Sequence, residues 1–200
     1  MLPWLDKKKY GGTIIASMKA GKVNRSFDAK DGRRVVLRTL KWDDLEDCLE
    51  FINSLVDEKA NILRDQKVTR EAEIEWLAKA LSRMELEEVV YLVAEVDGKV
   101  VASSELSRRL SGYDKHLGGI CIAIKNGFRD LGIGTEMMKT LIEQGKSWGL
   151  KALTLTAFAN NARALHVYRK IGFVETGRIP KKFFKEGQYL DEVIMTMMLE

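Results

Sequence analysis

Cysteine is scarce: Cys48 and Cys121 are the only two in 200 residues. That excludes a disulfide framework, and no Cys/His spacing for a metal exists, so no metal is expected. The natural setting of such a chain is a reducing cytoplasm. Proline is equally scarce, with 2 in the chain, so the composition is neither collagen-like nor a proline-rich linker. Long apolar runs are missing too. The longest, Val89–Ala94, is far short of the ~20 residues that span a bilayer, so no membrane is expected. At the start, Met1–Leu5 precede Asp6 and Lys7–Lys9, and charge after a small apolar patch is the wrong order for a secretory signal.

What is present is 46% hydrophobic content, enough for one globular domain with a core. The net charge of +4 is unevenly placed. Residues 1–34 hold nine Lys or Arg against three acids, and the remainder of the chain is slightly acidic. Nucleic acid is therefore not expected as a partner for the folded body, which also lacks helix-turn-helix, ribonucleoprotein and zinc motifs. Residues 1–32 show no sustained period and read as a basic N-terminal extension outside the fold, with a short strand around Thr13–Ala16. Residues 33–200 read as a single domain.

Within that domain, Arg34–Thr39 alternates as a strand. Asp43, with Glu46 three residues on, predicts a capped helix start, followed by Leu45, Cys48, Leu49, Ile52, Leu55 and Val56 on one face. A second helix is expected from Thr69, with Ile74, Leu77, Ala78 and Leu81 as its stripe. Val89–Val96 and Lys99–Leu106 flank Asp97-Gly98, a hairpin signal because both turn positions need positive φ. Gly118–Ile124 is a strand, Gly132–Trp148 a helix, Ala152–Phe158 a strand and Ala162–Ile171 a short helix. Phe173–Gly177 and Leu190–Leu199 read as strands joined by a basic loop containing Pro180 and Gly187. Hairpins and helical crossovers together require a mixed α/β (α+β) sheet.

Chemistry concentrates in Ile120–Thr135, ICIAIKNGFRDLGIGT. A buried strand runs through Arg129, Asp130, Leu131, Gly132, Ile133 and Gly134 into a helix. Free backbone N–H groups and the helix dipole at such a start attract an anion, and the two glycines let a phosphate reach the backbone. A dinucleotide fingerprint fails here because Met137 stands where the third glycine should be and no acid follows about 20 residues on. A P-loop fails because Gly145-Lys146-Ser147 lies inside a helix with Thr140 at the required glycine. A pyrophosphate cradle and a plain tight turn both remain open on this motif alone.

Arg129-x-x-Gly132-x-Gly134 after an apolar strand resembles the acetyl-CoA pyrophosphate loop of the GNAT superfamily of N-acetyltransferases. Asn161-x-x-Ala164-x-x-x-Tyr168, followed by Gly172-Phe173, resembles that superfamily's next signature, with Val167 replacing the usual Leu. The resemblance covers about residues 33–199. It implies a mixed, mostly antiparallel twisted sheet of six to seven strands with four helices, splayed around an acyl-CoA cleft. It also implies acetyl-CoA as co-substrate, an amine as acceptor and a homodimer. Ile122, Ala123 and Ile124 would offer backbone groups to the pantetheine arm. Leu131, Gly132, Ile133, Gly134 and Thr135, with Arg129 and Asp130 beside them, would hold the pyrophosphate. Asn160 or Asn161 would bond the pantetheine amides, and Tyr168 would face the sulfur.

The implied reaction is direct attack of an amine on the thioester in a ternary complex. Tyr168, protonated at neutral pH, is the candidate general acid. The strand Gly118–Ile124 lacks the acid that the family often places there, so Glu105, His116 or a water chain are the candidate bases. Cys121 reads as a small core residue rather than a nucleophile. Glu58, Asp191 and Glu192 are candidates for attracting a cationic amine. The acceptor could be a protein N-terminus or lysine, an amino acid or a small amine. The alternative is a non-catalytic acyl-CoA-binding regulatory module.

Overall fold

A computed structural model of the protein describes residues 20–199. The expected strand at Thr13–Ala16 lies outside them. Eight strands form one sheet: β1 (Val23–Asp28), β2 (Arg34–Thr39), β3 (Val89–Val96), β4 (Lys99–Arg108), β5 (Leu117–Ile124), β6 (Ala152–Phe158), β7 (Val174–Lys185) and β8 (Gln188–Met198). Four helices join them: α1 (Leu45–Asp57), α2 (Arg70–Glu85), α3 (Ile133–Ser147) and α4 (Ala162–Lys170). The spatial order is β1-β2-β3-β4-β5-β6-β8-β7. Every neighbouring pair is antiparallel except β5 and β6. The mixed α/β sheet expected from the sequence is therefore present, with eight strands rather than six or seven.

One strand is added and one is lengthened, both in segments whose local pattern is weak. β1 lies in the stretch read as an outside extension, yet it pairs with β2 from Val23 to Asp28. β7 begins where the strand Phe173–Gly177 is expected, but it runs on through Pro180 and most of the expected basic loop to Lys185. A proline fits there because β7 is an edge strand and its register shifts between Ile179 and Phe183, so no ladder bond is lost to the missing N–H.

Helices cover both faces of the sheet. Ile133, Met137, Met138 and Leu141 of α3, with Leu165 and Tyr168 of α4, pack on one face against Leu92, Leu106, Ile120, Leu153 and Met195. Leu45 and Cys48 of α1, with Leu77, Ala80 and Met84 of α2, pack on the other against Val89, Tyr91 and Val93. β3 is apolar on both faces because both are covered, which accounts for the longest hydrophobic run. The α2 stripe is rotated from the expected one: Ala78 is exposed, while Glu73 is buried.

The start of α1 also differs. A short 3-10 turn, Trp42–Asp44, precedes it, and Asp43 is exposed. The acid that matters is Asp44, 2% exposed, which accepts two 2.7 Å bonds from Arg38. Asp44 also accepts the Lys41 N–H at 3.0 Å, and Arg38 Nε donates to Glu95 at 2.7 Å. This cluster fastens the end of β2 to the start of α1.

Candidate active site

β5 and β6 are the two strands that part. They pair only from Leu117–Gly119 to Ala152–Thr154. Beyond that, β5 stays with β4 up to Ile124, and β6 stays with β8 up to Phe158. Each strand follows its antiparallel partner, so a gap opens between them. The inner edge of β5 from Ile120 to Ile124 carries backbone N–H and C=O groups with no strand opposite, the surface that an extended, amide-bearing ligand can join as an extra strand. Ile122, Ala123 and Ile124 are half-buried along it.

β5 leads into a loop that ends at Gly132, where α3 begins. Asp130 and Gly132 adopt φ of 65° and 90°, a left-handed reversal that glycine accepts without strain and that aspartate tolerates better than most side chains. Gly132 brings no side chain to cap α3, so the first N–H groups of the helix, at Ile133, Gly134 and Thr135, keep their donor capacity. A Cβ on Gly134 would come within 3.0 Å of Ile124 Cδ1, so glycine lets the helix start press against the end of β5. Leu131 lies half-buried just before it. Arg129 Nε donates to the Ile124 carbonyl at 2.8 Å, and its guanidinium pairs with Glu58 after α1. Arg129 therefore braces the loop from behind. Asp130 pairs with Arg163 in the first turn of α4 at 3.3 Å, both exposed.

On the other lip, α4 begins where the sequence places it. Asn161 Oδ1 accepts the Ala164 N–H at 3.2 Å, an N-cap, while Asn160 is exposed in the turn before it. Ala164 packs half-buried on the core. One turn further, Tyr168 is 8% exposed. Burial pushes its hydroxyl up to about 12, with the Cys121 thiol adding to the shift across the gap.

Glu105 sits in register with Tyr91 on β3 and Cys121 on β5, on the sheet face covered by α1 and α2. Tyr168 belongs to the opposite face, so the two can meet only through the gap. His116 is placed elsewhere. Its carbonyl accepts the Lys151 N–H at 2.8 Å at the closed end of β5, behind the paired residues 117–119 and away from the opening. Cys121, expected in the core, is exposed because it lies past the point where β6 departs. The protein packed around the sulfur still desolvates the thiol and, with Glu105 adding to the effect, raises it, which leaves it a poor nucleophile. Glu58 is engaged by Arg129, and Asp191 by Arg178 and the Lys181 N–H, so neither is an open anionic site for an amine.

Contacts of β7 with the end of β6 and with the segment after α1 have no counterpart in the local sequence pattern. Phe183 of β7 stacks on Phe158 at the end of β6, with centroids 4.0 Å apart. Lys185 Nζ donates to the Lys59 and Ala60 carbonyls and to Asn61 Oδ1 at 2.6, 2.8 and 2.9 Å. These contacts join residues far apart in the chain, so no local spacing announces them.

Residues 49–173 match the model of the Acetyltransferase (GNAT) family. The chain belongs to that family. It is an acetyl-CoA-dependent N-acetyltransferase. The L-amino acid N-acetyltransferase AaaT of Escherichia coli is 30% identical over 105 residues, which are 52% of this chain and 65% of AaaT. The L-amino acid N-acyltransferase MnaT of the same organism is 25% identical over 82% of this chain and 94% of its own. Salmonella typhimurium yncA, solved with its cofactor acetyl-CoA, superposes with a TM-score of 0.72 over 83% of this chain and 94% of its own, at 21% identity, and so shares the fold. This GNAT chain has features that fit acetyl-CoA: an uncapped helix start for the diphosphate and an open strand edge for the amide-bearing arm. Among the described residues no helix is long and apolar enough to cross a membrane.

Proposed function

We propose that this enzyme acetylates the primary amine of a small molecule, with the α-amine of an L-amino acid as the first class to test. The reaction is direct attack within one ternary complex. The parting of β5 from β6 after Gly119 carries this reading, because it opens a passage through the sheet beside an uncapped helix start. The choice of acceptor draws support from AaaT and MnaT, both named for L-amino acids.

In this scheme backbone groups of Ile122 and Ile124, on the edge turned away from β4, bond the pantetheine arm, while Ala123 between them spends its own on β4. N–H groups from Leu131 to Thr135 hold the pyrophosphate, and Asn160 bonds the arm from the other lip. An amine of pKa ~10 is mostly protonated at pH 7 and must lose a proton before it attacks. Glu105, on the α1/α2 face, takes that proton through a water, and His116 is too far along the strand to serve. As the C–N bond forms and the C–S bond breaks, Tyr168 gives its proton to the leaving thiolate, and the second proton that the nitrogen sheds passes through water to restore the phenol. A phenol pushed up to about 12 stays protonated throughout the working range, as that role demands. The test is thiol release from acetyl-CoA against L-amino acids, polyamines and peptides with free N-termini. Release with L-amino acids is expected; release with none of the amines would sink the reading.

A further inference from the structure

We propose that the turn joining β1 to β2, which precedes the segment matched to the family, is a second wall of the pyrophosphate site: Lys30 binds a phosphate of acetyl-CoA, and Arg33 positions the loop. The proposal rests on the acetyl-CoA reading above. Three sets of contacts carry it.

The turn is anchored rather than loose. Ala29 is 5% exposed within the main core, and the turn is closed by Ala29 N–H to Arg33 O at 2.8 Å and Gly32 N–H to Ala29 O at 2.9 Å. It then grips the pyrophosphate loop at both ends. At the entry, Arg33 Nη2 donates to the Gly127 carbonyl at 2.9 Å, with the guanidinium 4.3 Å from the centroid of Phe128. At the exit, the Lys30 N–H donates to the Leu131 carbonyl at 3.2 Å, one residue before the Gly132 cap. Because a trans peptide sets its C=O and N–H in opposite directions, this bond also fixes where the Gly132 N–H points.

The charges around the loop are unequal. Arg33 is matched by Asp31 at 2.6 Å, Arg34 by Asp28 at 3.1 Å and Lys125 by Glu50 at 2.7 Å. The pair with Asp31 also holds the Arg33 guanidinium in place for Gly127 and Phe128. Lys30 is exposed and forms no ion pair among the described residues. It is an ammonium on a flexible four-carbon stem, tethered by its own N–H to the residue that leads into the helix start. Two phosphate groups of acetyl-CoA, the pyrophosphate and the 3′-phosphate, offer the same chemistry.

Calorimetric titration of the full chain with CoA and with 3′-dephospho-CoA reads the site without turnover. Lys30→Ala is expected to raise the Kd for CoA about tenfold, the scale of one charge-assisted contact, and to flatten its salt dependence. If the partner is the 3′-phosphate, the variant binds dephospho-CoA as the wild type does. If it is the pyrophosphate, the tenfold loss persists with that ligand. A CoA Kd within twofold of wild type overturns the proposal alone, whereas a wild type that fails to bind CoA overturns it together with the function proposed above. For Arg33→Met, KM for acetyl-CoA should rise several-fold with KM for the acceptor unchanged. An equal rise in both would mark Arg33 as merely structural.

Discussion

Two arginine–carboxylate clusters in this protein use the same chemistry for different ends. Arg38 is 6% exposed, and it binds Asp44 through both terminal nitrogens and Glu95 through Nε. Arg129 is half-buried, pairs with Glu58 and donates to the Ile124 carbonyl. The first sits where β2 meets α1, away from the gap between β5 and β6. The second ties the segment after α1 to the loop that opens the helix start. Burial decides which property each one controls. A fully desolvated charge has no water to fall back on, so breaking that pair is felt by the whole fold. A half-buried pair keeps access to solvent, so breaking it is felt mainly as a change in loop geometry.

The largest predicted effect breaks the first cluster. Asp44→Ala leaves the Arg38 guanidinium buried without its main partner, and unfolding free energy in urea should fall by about 3–5 kcal/mol. The kcat/KM of the remaining folded protein should stay near wild type. A loss confined to activity would reverse the assignment of the two clusters. Next comes Tyr168→Phe, which removes the proposed acid and should lower kcat on the order of 10²-fold in a thiol-release assay, with KM for acetyl-CoA little changed. Full turnover by the variant would remove Tyr168 from the mechanism.

Arg129→Met should shift the balance from stability to binding. It is expected to cost about 1 kcal/mol of stability and to raise the KM for acetyl-CoA several-fold. Glu58→Gln should follow it in direction. A stability loss as large as that of Asp44→Ala would erase the contrast. A fourth test is alkaline. Tyr91 and Tyr168 are pushed up to about 12 by burial, as is the Cys48 thiol. In the unfolded chain these groups ionise near 10 and 8.5. Above those values the unfolded state loses protons first, so stability should decline as pH rises from about 8.5 toward 12. Tyr168→Phe should make that decline shallower in urea titrations at stepped pH. The smallest effect belongs to the exposed Arg163–Asp130 pair. Arg163→Ala should change stability by less than about 0.5 kcal/mol, and a larger loss would show that the two lips of the gap are held together there.

Much of the site was legible because its signals are local. The Asp97-Gly98 hairpin has the positive φ values, 50° and 76°, that its residues invite. Gly132 and Asn161 mark the two helix starts because each answers a need within four residues of itself. Cys121 is exposed rather than buried for a reason that lies outside its own strand. Strand membership follows from local pattern, but the point where β5 and β6 part depends on which partner each strand keeps. The capping pattern points to Asp43 rather than Asp44 because it takes no account of an arginine on the preceding strand.

The sequence by itself determined the elements whose residues lie close together, and it determined the two motifs that name the family, since turn chemistry, caps and hydrophobic period act over a few residues. Only the tertiary structure decided the rest. It recruited β1 and the Pro180-bearing β7 as sheet edges, buried Glu73 in place of Ala78, turned Arg129 toward Glu58 and set the β1–β2 turn against the loop that leads into α3. These outcomes depend on contacts between separate elements, where burial and available partners, rather than local spacing, set the free energy.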